Sequence, residues 1–238
     1  MKKSNLRLLA FVLFLVLAQN SIAANKVQEG NGSEAASDET VAVGLSYTDG
    51  VNVYKNIAGN PAKPAEKYYA TAIGIANKAS GKESSAFGYN SLATGRESLA
   101  AGYKNTANGE SSSSVGWQNS ADGDYASSVG YGNKASEYGS SAFGRGNTAS
   151  GGYSSTFGDR NTASGWESSA FGFINTASGS ESSAFGYKNT ASGRYSSAFG
   201  HGNTASGGYS SAFGRSYKVS GNYSGAFGVG VANWNNTT

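Results

Sequence analysis

The chain has no cysteine, two prolines, one methionine and one histidine among its 238 residues. The absence of cysteine excludes a disulfide scaffold, a thiolate metal site and a cysteine nucleophile. A lone His201 leaves almost no material for a histidine metal centre or a Ser/His triad. No cofactor, no metal and no enzymatic activity are expected. Past residue 25 aliphatic side chains are few beside fifteen tyrosines, so an ordinary large globular core is not expected either.

A real charge imbalance is also missing. The formal charge of +3 would suggest an anionic partner such as nucleic acid. However, Lys2, Lys3 and Arg7 belong to a leader of distinct composition. Without them fifteen basic residues face fifteen acidic ones, scattered and without a patch, and no nucleic-acid partner is expected. The leader, residues 1–23, joins that basic start to an apolar run from Leu8 to Ala18 and small residues at Ser21 and Ala23. This is the pattern of a cleaved secretory signal, and the run is well short of the roughly 20 residues a bilayer crossing needs. The mature chain is expected to be exported, beginning with a flexible segment over 24–39.

What the chain has in abundance is glycine, at 35 positions, and serine, at 39. The glycines keep time. Twelve fall at intervals of fourteen from Gly74 to Gly228, and a second series lies seven residues later, from Gly81 to Gly221, broken only by Glu137. Alanine follows the first glycine by five from Ala79 to Ala205, and asparagine follows it by three at nine positions, including Asn105, Asn147 and Asn203. Each unit, for example residues 195–208, holds two short strand-like segments and two glycine-marked turns. One unit makes one flattened coil. Stacked in parallel at about 4.8 Å, twelve coils would span roughly 55–60 Å. The fold expected is an all-β parallel solenoid over 70–232, with an irregular first coil at 40–69 and a short tail at 233–238. The irregular coil holds Thr40-Val-Ala-Val-Gly44, an inserted loop, Pro61 and Pro64.

The residue before the first glycine is apolar almost throughout: Phe87, Phe143, Phe157, Phe171, Phe185, Phe199, Phe213 and Phe227, with Ile73, Val115 and Val129. This ladder and the alanine ladder are expected to form the interior. One coil is too thin to bury much by itself, so several chains are expected to share a core.

Two further columns vary from repeat to repeat, as exposed positions do. The residue after the first glycine includes Tyr89, Tyr103, Trp117, Tyr131, Tyr187 and His201; five positions before it stand Tyr125, Tyr153, Tyr195, Tyr209 and Tyr223. Exposed tyrosine and tryptophan supply large contact area at low entropic cost, which makes these ladders candidate ligand contacts. The same side chains could instead cover turn backbones and pack against neighbouring chains. Gly144-Arg-Gly146 lacks the Gly-Lys-Ser/Thr that would follow in a phosphate loop, and the nine-residue spacing of calcium-binding rolls is absent.

The recurrent Ser-Ser-Ala-Phe-Gly at 84–88, 140–144, 168–172, 182–186, 196–200 and 210–214, with Ala-Thr-Ala-Ile-Gly at 70–74 and x-x-Asn-x-Ala-x-Gly after most of them, resembles the head repeats of trimeric autotransporter adhesins of the YadA-like type. That resemblance implies a left-handed parallel β-roll, three intertwined chains and display on a Gram-negative cell surface for attachment. The implied partners are further copies of the chain and a host-cell or matrix protein or glycan. Family members continue into a coiled-coil stalk and a membrane β-barrel. This sequence shows neither heptads nor ten-residue alternating strands, so contact with a membrane is expected only through an anchor absent from it. The family's collagen-binding Asn-Ser-Val-Ala-Ile-Gly motif does not occur. An adhesin head is the favoured reading, with a rigid spacer, an ice- or polysaccharide-binding solenoid and a hydrolase as alternatives.

Overall fold

In each fourteen-residue unit a five-residue segment of serine, alanine and aromatic character forms a long strand, such as Ser197–His201, and Thr204–Ala205 forms a short one. The computed structural model describes residues 26–29, 33–35, 40–45, 47–48, 53–62 and 68–228. The expected secretory leader and the tail at 233–238 lie outside them. Long strands stack into a 14-stranded sheet and short strands into a 13-stranded one. Both sheets are parallel, and from Thr71 onward the step is a constant fourteen, as in Phe185↔Phe199 and Ala191↔Ala205. Parallel neighbours need a crossover, and here the short strand of each coil supplies it. The all-β parallel solenoid expected from the spacing is the fold of the chain.

The array starts earlier than Gly74. Lys26–Glu29 pairs with Thr40–Leu45 at the same step, Lys26↔Thr40, inside the stretch expected to be flexible. Thr40–Leu45 in turn pairs directly with Thr71–Ile75, Gly44↔Gly74, a step of thirty in place of fourteen. Nine of the sixteen added residues precede Ile57, where Tyr47–Thr48 and Val53–Tyr54 form an antiparallel hairpin, and seven follow Ala58. The chain then rejoins the short-strand sheet at Ile57–Ala58. Insertions are absorbed at the turns, and the register of the sheets is untouched.

Two close approaches explain the glycine series. At Gly172, φ is +117° and a Cβ would lie 2.1 Å from the carbonyl oxygen of Gly186. At Gly179 the backbone is ordinary, yet a Cβ would lie 2.0 Å from the Gly193 oxygen. A side chain at either site would hold adjacent coils apart.

The interior differs from expectation in one respect. Alanines of both sheets, such as Ala163 and Ala170, are fully buried, but the phenylalanines between them are not inside the roll. In the long strands Ala170 points inward, which sends Ser169 and Phe171 outward. The whole column is affected: Phe87, Phe143, Phe171, Phe185, Phe199 and Phe213 are partly exposed, while Phe157 is 50% and Phe227 70% exposed. The reason is space. The two sheets of a fourteen-residue coil lie so close that methyl groups, hydroxyls and a carboxamide fill the lumen, and a phenyl ring does not fit.

The carboxamides are the second component of the lumen. The Asn161 backbone N–H and Nδ2 both donate to Oδ1 of Asn147, at 2.8 and 3.0 Å. Nδ2 also reaches the carbonyls of Phe157 and Gly172, at 2.9 and 2.8 Å. Asn175 repeats the pattern on Asn161 Oδ1. Each asparagine thus ties together three successive coils. A buried amide without these partners would cost about 1–3 kcal/mol. Asn56 begins the ladder by accepting from the N–H of Asn77, at 2.9 Å. Tyr217, which donates its N–H to Asn203 at 2.9 Å, ends it.

Candidate functional site

The long-strand face carries the phenylalanine column along its middle and a turn at either end. The two candidate contact ladders occupy these two turns. Tyr131 closes the strand Ser127–Tyr131, whereas Tyr125 precedes it, so the ladders stand at opposite corners of the coil and form no common site.

At the first corner Tyr89, Tyr103, Trp117 and Tyr131 form one stack, with ring centroids 5.1, 4.0 and 6.4 Å apart. Lys104 lies over the Tyr103 ring at 5.2 Å. Arg145 and Asp159 then interrupt the aromatics with a 3.8 Å ion pair, and Arg160 approaches Asp159 at 3.3 Å. A second stack follows: Phe173–Tyr187 at 5.5 Å and Tyr187–His201 at 4.7 Å. Arg160 and Lys188 sit over its first two rings. The single histidine is therefore one plate of a surface stack.

At the other corner Tyr125, Tyr153, Tyr195, Tyr209 and Tyr223 all take left-handed φ angles of 55–58°. Tyr195, Tyr209 and Tyr223 stack in parallel at 4.6 and 5.0 Å. Tyr125 and Tyr153 enter a different arrangement, meeting Tyr138 and Trp166 edge-to-face at 5.2–5.3 Å with interplanar angles of 61°, 68° and 78°. Tyr138 and Trp166 stand six residues before their glycines, one position earlier than the column considered from the sequence. Taking the two adjacent columns together would have found them, because Gly139 and Gly152 stand where Tyr138 and Tyr153 have vacated the neighbouring position.

The electrostatics at this corner are local. Arg96, between Glu110 at 2.8 Å and Glu97 at 3.2 Å, has its guanidinium pKa raised by both carboxylates, Glu110 first. Partial desolvation pushes the Tyr153 phenol up, and Tyr138 and Glu167 add to it. The Tyr195 phenol is raised chiefly by its hydrogen bond to Glu181. Among the described residues no three of His, Cys, Asp and Glu assemble into a metal-holding group. The corners offer repeated contact area.

The central column is continuous from Phe143 to Phe227, with rings stacked at 4.7–5.8 Å. Ala101, Val115 and Val129 separate it from Phe87. No curated protein matches the chain. A family model, the YadA head domain repeat in two copies, matches residues 65–91, 93–119, 107–133, 121–147, 163–189, 177–202 and 191–216. These segments cover more than half of the sequence and follow the fourteen-residue coils of the roll, so the chain belongs to the YadA head-repeat family.

Proposed function

We propose that this chain is the head of an exported, surface-displayed trimeric adhesin that holds host cells, matrix or other bacteria through many weak contacts. The observation that carries this reading is the phenylalanine column. Seven stacked rings run along an outer face, one of them 50% and the last 70% exposed. A contiguous apolar stripe of that length calls for a cover. Two further copies of the chain, each presenting the same stripe, would supply it and complete the shared core that a single thin coil lacks. Three copies then repeat each corner ladder threefold, which raises avidity without any strong single site. The test is attachment: beads coated with the purified protein should bind epithelial cells, extracellular matrix or bacteria. Phe171→Glu with Phe199→Glu should lower binding by dispersing the assembly. The unbroken register of the two sheets favours a second reading, a stiff spacer whose role is length. Intact trimers that bind none of these surfaces would favour that reading.

A further inference from the structure

The aromatic rings of the second corner come in two registers. From Tyr195 to Tyr223 each coil places its ring at the same turn position, and the rings lie face on face. From Tyr125 to Trp166 successive coils alternate between two adjacent positions, and the rings form a herringbone. Glycine makes room for it. A Cβ on Gly139 would lie 2.8 Å from the Tyr153 ring and one on Gly152 2.5 Å from the Trp166 ring, so both rings recline over the preceding coil. A parallel stack hides ring faces against each other, whereas perpendicular rings leave faces open. All four are about half exposed, at 46–53%. The family model passes over residues 148–162, the coil at the centre of this strip.

The strip also differs from the other aromatic runs in charge. Each of the other three corner runs has a cation of the chain itself over a ring: Lys104, Arg160 with Lys188, or Arg194. Among the described residues the herringbone has none. Its corner instead exposes Asp124, Glu137 and Glu167, and no lysine or arginine stands in these turn columns between Arg96 and Arg194. Open ring faces beside carboxylates attract a guanidinium or ammonium group.

We propose that this corner docks an extended, arginine-bearing peptide segment of a partner protein. Four coils span about 15 Å, the length of about five extended residues. Alternate side chains of such a segment would place guanidinium groups against the rings, within reach of the three carboxylates. The inference deepens the adhesive reading by naming the chemistry of one partner, and it rests on that reading only for its biological use.

The experiment is fluorescence anisotropy on the full chain with a labelled peptide of alternating arginine and glycine. The same peptide with glutamate for arginine, and a neutral β-linked glucose oligosaccharide, serve as competitors. Binding of the arginine peptide alone, weakening with salt, is expected. Tyr138→Ala should weaken it about tenfold or more. Glu137→Lys places a cation of the chain itself in the strip and should weaken it comparably, with thermal midpoint and solution mass unchanged. Tyr187→Ala, at the opposite corner, should leave affinity as it was. No binding of the arginine peptide, equal binding by the Glu137→Lys variant, or tighter binding of the oligosaccharide would overturn the proposal. Attachment to cells by a protein that ignores the peptide would remove this proposal and leave the adhesive reading standing.

Discussion

Within one coil, Asn161 occupies a column that is asparagine in nearly every repeat, while the column of Asp159, two residues earlier, also holds tyrosine, tryptophan, arginine, phenylalanine and histidine. The difference lies in what each side chain must satisfy. Asn161 joins Asn147, Phe157, Gly172 and Asn175 in hydrogen bonds away from water, and no other residue offers a donor and an acceptor of that shape. Asp159 faces a turn, where its neighbours Arg145 and Arg160 can be exchanged for stacked rings at little cost. The lumen sets the fold, and the corners are free to specialise.

This contrast can be broken first at the glycines where adjacent coils touch. Gly172→Ala puts a methyl group 2.1 Å from the Gly186 oxygen at a φ of +117°, and a loss above about 4 kcal/mol is expected, read as failure to fold or a collapsed thermal midpoint. Asn161→Ala comes next. It strands the carbonyls of Phe157 and Gly172 and leaves a cavity, for a loss of about 3 kcal/mol by chemical denaturation. A corner substitution should be far milder. Tyr209→Ala removes one plate from the stack with Tyr195 and Tyr223, for about 0.5–1.5 kcal/mol. If it destabilised as much as Asn161→Ala, the separation of lumen and corner would be wrong.

The smallest effect concerns pH. The Tyr153 phenol is raised in the folded chain, so folding favours its protonated form. That contribution is present below the ordinary tyrosine pKa of about 10 and is lost as the pH rises through the folded value. The thermal midpoint of the native protein should therefore fall slightly more than that of Tyr153→Phe in strongly alkaline buffer. Identical alkaline profiles would remove Tyr153 from the account.

The repeating glycine, alanine and asparagine columns were readable in the sequence because close coil contacts and a narrow lumen admit few residue types at each position. The direction of the phenylalanines was not. Alternation separates Phe171 from Ala170 onto two faces without saying which face is inside, and hydrophobicity alone chooses the larger residue. The width of the coil decides for alanine. Asn56 escaped notice because seven residues added between Ala58 and Thr71 set it 21 positions before its partner Asn77 instead of fourteen, although its place in the ladder is intact. The early coil left a fainter signal in Gly30, fourteen residues before Gly44. At the corners both candidate ladders were legible, but the herringbone was not, since Tyr138 and Trp166 stand one column earlier than Tyr125 and Tyr153 and a single column shows only half of its rings.

The most direct test of the proposed sharing of the phenylalanine face is the solution mass of the purified protein by light scattering, beside the Phe171→Glu, Phe199→Glu variant. The native protein should run at three times the chain mass and the variant as a folded single chain. A native protein that remains a monomer at every concentration, with the phenylalanine column open to water, would contradict the account.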